Sequence, residues 1–365
     1  MAIKILIGGS PCTYWSIAQK NNRETEASGT GWELFKNYLI AREKFKPDYF
    51  LYENNKSAAR AIKDQISQEL GVDLMYINSA LVSAQNRQRF YAFNWTVEQP
   101  ENRGILLKDI LETGEDLTGN DKSFCLTSSY SGAIAWNTIE RNQRNMIAEP
   151  VRVGDLPNAK GEISGSQATR IYSVNGKSVN LVANGGGQGA KTGLYSVPAT
   201  QKSTAVYEVR DGFITIKNKR YPIKLADGFY IIRKLTPIEC ERLQTLPDNY
   251  TKAVSNTQRY KGLGNGWTAE VIIHILNGIL KNVPKDEEII VLSLYDGIGT
   301  GRYCFDKMGF TNVKYHAYEI DKYAIQVAMD NYPDIIQHGD AFAVREDSWK
   351  PPQTQSESFD GITER

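Results

Sequence analysis

Apolar residues fall in short blocks through the first hundred positions. Residues 3–7 (Ile-Lys-Ile-Leu-Ile) are mostly β-branched or leucine, as in a strand buried inside a parallel sheet. Within 32–45, Leu34, Phe35, Tyr38 and Leu39 recur at helical spacing. A second strand is predicted over 49–52, running into Glu53, Asn54 and Asn55. A helix over roughly 56–70, a strand over 74–77 and an apolar run over 90–95 follow. Strand and helix alternate, which predicts an α/β domain. From about 104 to 228 the pattern changes. The chain becomes rich in Gly, Ser, Asn and Thr, with short strand-like runs at 170–173, 181–183 and 213–216. This stretch predicts a mostly β, loop-rich domain inserted into the α/β one. Helical periodicity resumes over 236–246 and 269–280, a charged linker occupies 281–288, and strands are predicted at 289–294, 313–318 and 335–338. The expected division is therefore 1–103, 104–230, 231–350 and a polar tail, 351–365.

Composition narrows this picture. The chain has 365 residues, 41% of them hydrophobic, enough for a sizeable core. No apolar run reaches membrane-spanning length, and the first residues lack a signal-peptide pattern. The four cysteines (Cys12, Cys125, Cys240, Cys304) include no CxxC pair, and there are three histidines. A zinc or other metal site is not expected, and a reducing compartment is. A net charge of +1 neither supports nor excludes nucleic acid, because binding needs only a local basic face. Basic and amide clusters at 141–145 and 217–220 suit either a solvated face or phosphate contacts.

Candidate chemistry sits where strands end. After the first strand, Gly8-Gly9-Ser10-Pro11-Cys12 delivers a thiol at the carboxyl end, where open α/β sheets hold their ligands. A lone cysteine is more often a buried structural residue. Here, however, Glu53 and the pair Arg87/Arg89 lie at other strand ends, giving a nucleophile, an acid and a fork-shaped cation together. The strand at 289–294 runs into Tyr295-Asp296-Gly297-Ile298-Gly299-Thr300-Gly301, then a helix, a strand and Glu319 about twenty residues on, a nucleotide-binding βαβ layout. Asp340 ends the next strand. It suits an adenine amino group, or simply a turn cap. The turn lacks GxGxxG spacing, which argues against NAD.

These residues resemble the DNA (cytosine-5) methyltransferases, over nearly the whole chain. Gly9-Ser10-Pro11-Cys12 is similar to the family's Pro-Cys loop, and Glu53-Asn54-Asn55 to its Glu-Asn-Val motif. Gln85-Asn86-Arg87-Gln88-Arg89 matches Gln-x-Arg-x-Arg. Arg233 to Pro237, Glu239-Cys240 and Leu246-Pro247 match the motif after the recognition region. Gly264-Asn265-Gly266-Trp267 is similar to the last motif, Gly-Asn-Ser. The stretch 293–301 most resembles the cofactor loop of mammalian de novo and phage members. Residues 167–173, Asn180-Leu181, Gly185-Gly186-Gly187 and 190–193 resemble the recognition region of one member, the HhaI methylase. The motif order departs from the family's: the Cys12 half comes first and the cofactor half last, so the chain reads as circularly permuted.

The resemblance implies an α/β, Rossmann-like S-adenosylmethionine-dependent methyltransferase sheet with an inserted, mostly β target-recognition domain. Cys12 would add to carbon 6 of a flipped cytosine, so that carbon 5 attacks the methyl of S-adenosylmethionine. Glu53 would hold ring nitrogen 3 and the amino group, Arg89 the carbonyl oxygen, and Arg87 would support the thiolate. Cofactor contacts would come from Tyr295, Asp296, Gly297, Ile298, Gly299, Thr300, Glu319, Ile320, Asp340, Ala341, Asn265 and Trp267. DNA contacts would come from Gln167, filling the vacated stack, and from Arg170, Gly186 and Gly187. The expected partner is double-stranded DNA, bound by a monomer in the cytoplasm of a bacterial or phage-infected cell. A cognate restriction endonuclease remains open as a second partner. A transfer-RNA cytosine-5 methyltransferase is the alternative, as is a catalytically inactive DNA-binding module. The long β insertion favours DNA over RNA, and the intact Cys12, Glu53 and Arg89 argue against inactivity.

Overall fold

A computed structural model describes residues 2–16, 23–150, 152–155, 170–172, 206–216 and 218–353. In chain order, β1 (Ile3–Gly8), α1 (Gly29–Phe45), β2 (Tyr49–Asn55), α2 (Arg60–Leu70), β3 (Met75–Asn78) and β4 (Gln88–Phe93) come first. Then follow β5 (Glu115–Asp116), α3 (Ala135–Arg141), β6 (Met146–Pro150), β7 (Arg152–Asp155), β8 (Arg170–Tyr172), β9 (Val206–Arg210), β10 (Phe213–Ile216), β11 (Lys219–Pro222) and β12 (Gly228–Lys234). The last group is α4 (Pro237–Leu243), α5 (Asn256–Asn265), α6 (Ala269–Leu280), β13 (Ile289–Leu294), α7 (Thr300–Lys307), β14 (Val313–Tyr318), α8 (Lys322–Asn331) and β15 (Ile336–Gln337). The chain divides into two units. Met1–Ile105, Leu126–Ser131 and Cys240–Arg365 form one, and Leu106–Cys125 with Gly132–Glu239 form the other.

The first unit is built on a seven-stranded sheet in the order β15-β14-β13-β1-β2-β4-β3. Its strands run parallel except β4, which is antiparallel to both β2 and β3. At the centre β1 pairs with β13, Ile3 opposite Ile289 through Gly8 opposite Leu294. Every residue of β13 is buried, as are Ile5, Leu6 and Ile7 of β1, because helices cover both faces. Side chains alternate across the pleat. Leu6, Phe50, Tyr52, Ile290, Leu292 and Leu294 pack with Phe35, Tyr38 and Phe45 of α1 and Ile62, Ile66 and Leu70 of α2. Each such buried side chain stabilises the unit by roughly 1.5–3 kcal/mol. The apolar periods of α6 and of β13 and β14 give elements at the predicted positions.

Several elements differ from expectation. The helix predicted from 56 begins at Arg60, because Asn55 holds a turn: its Oδ1 accepts from the Ser57 amide and its carbonyl from Ala58. The helix predicted to 246 stops at Leu243, where Thr245 takes a left-handed backbone (φ 56°). The helix α5 was not predicted; two glycines and few apolar residues hide its period.

The second unit holds a six-stranded antiparallel sheet in the order β11-β10-β9-β12-β6-β5, and the separate hairpin-like pair β7 and β8. Buried Asp116 organises one edge. It accepts from Asn145 Nδ2 at 2.6 Å and from the amides of Thr118 and Asn120. Asn145 is thereby a buried structural residue, not a phosphate contact. Lys219 pairs with Glu140 at 2.6 Å, Arg220 lies over the Phe213 ring and Arg141 over Trp136. The run expected at 181–183 lies outside the described residues, as does Lys217.

Candidate active site

The sheet brings its chemistry to one edge. Parallel strands β1, β2, β13 and β14 all end there, and antiparallel β4 begins there, so Arg89 at its start meets Glu53 near the end of β2. Cys12 follows β1 as the first residue of a single 3-10 turn, Cys12–Tyr14, entered through Pro11. Gly9 makes the approach possible: a Cβ there would lie 2.6 Å from the Glu53 carbonyl oxygen. Ser10 fixes the loop. Its hydroxyl lies 2.7 Å from the Tyr52 hydroxyl, and Asn54 Nδ2 donates to its carbonyl at 2.9 Å. Ser10, Tyr52 and Asn54 are all buried and were not singled out as site residues from sequence. A polar residue alternating into a buried strand face, as Asn54 does, was the available signal.

Arg89 Nε lies 3.0 Å from Glu53 Oε1, and the Trp267 indole donates to Glu53 Oε2 at 3.1 Å. Both members of the ion pair are about one tenth exposed, so the acid is fixed in direction and lightly screened. Arg87 also makes contacts that the sequence does not predict. Its guanidinium donates to the carbonyls of Leu126, Gly264 and Gly266, tying the Gln85–Arg89 segment to the end of α5. Its charge still acts on Cys12. Burial pushes the Cys12 thiol up, Arg89 opposes this most, Glu53 adds to the rise, and Arg87 lowers it again.

The turn after β13 is held by its own acids. Glu319 Oε2 accepts from the Gly297 amide at 2.9 Å, and Oε1 accepts from the amides of Ile320 and Asp321 at 2.8 Å each. Asp296 accepts from Ser293 and Tyr315 on Oδ1, and burial pushes its carboxyl up to about 6. Gly299 caps α7 in a left-handed conformation, and Ile298 gives its carbonyl to the Tyr250 hydroxyl. Asp340 caps the 3-10 turn Ala341–Arg345 by accepting from the Phe342 amide at 2.9 Å. The capping alternative thus describes its contacts within the chain, and it lines the cavity as well.

A single cavity of about 490 Å³ joins these groups. Cys12, Glu53, Arg87 and Arg89 line one part, and Asn265, Trp267, Tyr295 to Ile298, Thr300, Glu319, Ile320, Asp340 and Ala341 another. Gly299 is not in the lining. Residues not anticipated from sequence also line it, among them Leu34, Gln258, Lys261 and Phe342. Three buried polar atoms on this wall have no partner among the described residues: Asp296 Oδ2, Thr300 Oγ1 and Gln258 Oε1. Gln167, Gly186 and Gly187 lie outside the described residues, and Arg170 is described only as the first residue of β8. Among the described residues no cluster of three His, Cys, Asp or Glu could hold a metal, and no helix is long and apolar enough to cross a membrane.

Residues 1–281 match the family described as C-5 cytosine-specific DNA methylase. The chain is 24% identical to the orphan methyltransferase M.SPRI of Bacillus phage SPR, over 78% of this chain and 84% of that protein. It is 27% identical to the type II methyltransferase M.HhaI of Haemophilus parahaemolyticus, over 76% and 75%. It is 24% identical to the type II methyltransferase M.Sau3AI of Staphylococcus aureus, over 78% and 80%.

Proposed function

Because the chain belongs to the C-5 cytosine-specific DNA methylases, we propose that it methylates carbon 5 of a flipped cytosine within a specific duplex DNA sequence, using S-adenosylmethionine and a covalent bond to Cys12. The observation that carries this reading is the shared cavity: Cys12 and the Glu53–Arg89 pair open into the same space as the Gly297–Glu319 turn. The wall fits the cofactor. Left-handed glycines at 297 and 299 keep the backbone bare, and the unpartnered oxygens of Asp296, Thr300 and Gln258 match a ligand with an ammonium and ribose hydroxyls. Tyr295, Asp296, Ile298, Thr300, Glu319, Ile320, Asp340, Ala341, Asn265 and Trp267 would hold it, and Gly297 and Gly299 would shape the turn beneath it. Bound there, S-adenosylmethionine supplies an electrophilic methyl group.

The chain's own residues do the rest. Cytosine carbon 5 is a poor nucleophile until a thiolate adds at carbon 6. Cys12 makes that addition, and Arg89 and Arg87 lower the cost of its negative charge. Glu53 accepts from the amino group on one oxygen, and a proton shared between its other oxygen and nitrogen 3 takes up charge that builds on the ring. Trp267 and Arg89 hold the acid in place for this. Arg89 also takes the carbonyl oxygen as charge builds there. A base then takes the carbon 5 proton, the electrons of that C–H bond re-form the carbon 5–carbon 6 double bond, and Cys12 leaves as thiolate. A stacked base cannot reach Cys12, so the cytosine must leave the duplex at a cost of roughly a few kcal/mol. The second unit is read as the target-recognition domain, with Gln167, Arg170, Gly186 and Gly187 on DNA. The order of motifs is read as a circular permutation. Two facts support it: the family match stops at residue 281, before β13, and β13 nevertheless lies beside β1.

Labelled S-adenosylmethionine offered with duplex DNA, and separately with transfer RNA, tests the reading. Label in DNA, at cytosines that resist bisulfite conversion, supports it. Label in RNA alone, or in neither, overturns it.

A further inference from the structure

One wall of the cavity is tied down by hydrogen bonds that the mechanism leaves unused. Tyr295 stands at φ 61°, a left-handed conformation that costs a non-glycine residue on the order of 1 kcal/mol. Its ring does not float there. The hydroxyl donates to the Leu34 carbonyl at 2.8 Å and accepts from Asn37 Nδ2 at 3.0 Å. Asn37 is fully buried on α1, and its Oδ1 accepts from Arg345 Nε at 2.5 Å. Arg345 ends the 3-10 turn that Asp340 caps, and it also donates to the Glu33 carbonyl at 2.8 Å and pairs with Glu33 Oε2 at 3.1 Å. Three segments are thereby joined: the turn after β13, the start of α1, and the turn after β15.

The same three segments supply Tyr295, Leu34, Asp340, Ala341 and Phe342 to the cavity lining. The Tyr295 hydroxyl has its one proton on Leu34 and a lone pair on Asn37, so its bonding is directed at the scaffold and not at a ligand. None of the described hydrogen bonds of Asn37, Tyr295 or Arg345 goes to Cys12, Glu53 or Arg89. We propose that Asn37, the Tyr295 hydroxyl and Arg345 form a positioning relay that shapes the S-adenosylmethionine pocket and acts on cofactor affinity, separately from the transfer step. This rests on the cofactor reading given above.

The consequence is a split between binding and chemistry. Without the hydroxyl, the residue at 295 is free to relax toward an ordinary backbone conformation, and Asp296 and Gly297 shift with it. Without Arg345, Asn37 loses the partner that orients its amide, and the Asp340 turn loses its hold on α1. Arg345 is a third exposed, and methionine keeps much of its aliphatic length, so the change falls mainly on its hydrogen bonds to Asn37 and Glu33.

The test measures S-adenosylmethionine binding by calorimetry, without DNA, for the unsubstituted protein, Tyr295→Phe, Arg345→Met and the double variant. Each single variant should bind about tenfold more weakly, as expected for one or two lost hydrogen bonds. The double variant should be little weaker than the poorer single one, because both break the same relay. Steady-state kinetics on duplex DNA should show Arg345→Met with a raised KM for the cofactor and kcat within about twofold, and gel-shift affinity for DNA should not move. Unchanged cofactor affinity in folded Arg345→Met and Tyr295→Phe overturns the relay, as do fully multiplicative losses in the double variant or a kcat that falls with affinity. Failure of the unsubstituted protein to bind S-adenosylmethionine overturns the cofactor reading itself, a different outcome from unchanged variants.

Discussion

At Cys12, burial and charge pull in opposite directions. Desolvation holds the proton on, and the two arginines favour its loss, with Glu53 working against them. A sulfur nucleophile tolerates this because it attacks well even when only a fraction is ionised. A hydroxyl does not. Cys12→Ser should therefore abolish methyl transfer, by at least about 10³-fold, with cofactor and DNA affinities near those of the parent. Duplex carrying 5-fluorocytosine should form a denaturation-stable adduct with the parent protein and none with the variant. Asp296 gives a second residue-scale prediction. Its carboxyl rises from 3.8 to about 6 in the folded chain, so the native state binds the proton more tightly than the unfolded one. That contribution is full below pH 3.8 and is lost as pH rises through about 6, so ionised Asp296 weakens the fold at neutral pH by roughly 2–3 kcal/mol. Burial and the neighbouring His338 lower His316 to about 4, giving the opposite sign: stability is lost as pH falls from 6.5 toward 4. Asp296→Asn should then raise the urea midpoint at pH 7.5 and leave a stability that climbs with pH between 4 and 6.5. Cofactor affinity should fall, since the unpartnered Oδ2 is replaced by an amide.

At the scale of elements, β4 decides the site. It is the reversed strand of the sheet, and reversal is what carries Arg89 to the edge where the other strands end. Sequence periodicity located β1, β13, β14 and α6 because continuous apolar runs or clean helical spacing mark buried elements. It also placed Cys12, Glu53 and Arg89 at strand ends, and the cavity holds all three. The use of Arg87 was not legible, because its acceptors are backbone carbonyls of residues 126, 264 and 266, which no local pattern connects. Tyr295 hid its hydroxyl partners for the same reason. The helix α5 was missed although its end carries a motif, and Gly264 shows why the motif is there. A Cβ on Gly264 would run into the backbone of Thr127 and Ser128. Backbone cannot swing aside as a side chain does. Gly264→Ala should cost about 2–3 kcal/mol, the range of overpacking, and loosen the Arg87 anchor. Differential scanning calorimetry would show a lowered transition, and Asn265→Ala, at the exposed neighbour, would not.

For the whole molecule, β1 and β13 lie side by side although one opens the chain and the other follows residue 288. If the motif order is a circular permutation, the route of the backbone matters less than the assembled sheet. A variant that begins at Lys285, joins Arg365 to Met1 and ends at Pro284 should fold and methylate DNA like the parent. The opening falls between α6 and β13, at exposed positions. A soluble but inactive permutant would refute the reading. Within the same unit, α1 and the turn after β15 are already tied through Lys44, which donates to the carbonyls of Val344 and Glu346 at 2.9 Å each.

The pairing of Ile3 with Ile289 also sets a timetable. The middle strand of the sheet, β1, is made long before β13 and waits with one of its edges bare. Its partner on that side emerges only after roughly 280 further residues, on the order of 15–60 s at typical elongation rates. Until then an apolar strand with unpaired amides is available to any passing edge, its own or another chain's. Whatever shields nascent chains therefore stands in for β13 over that interval.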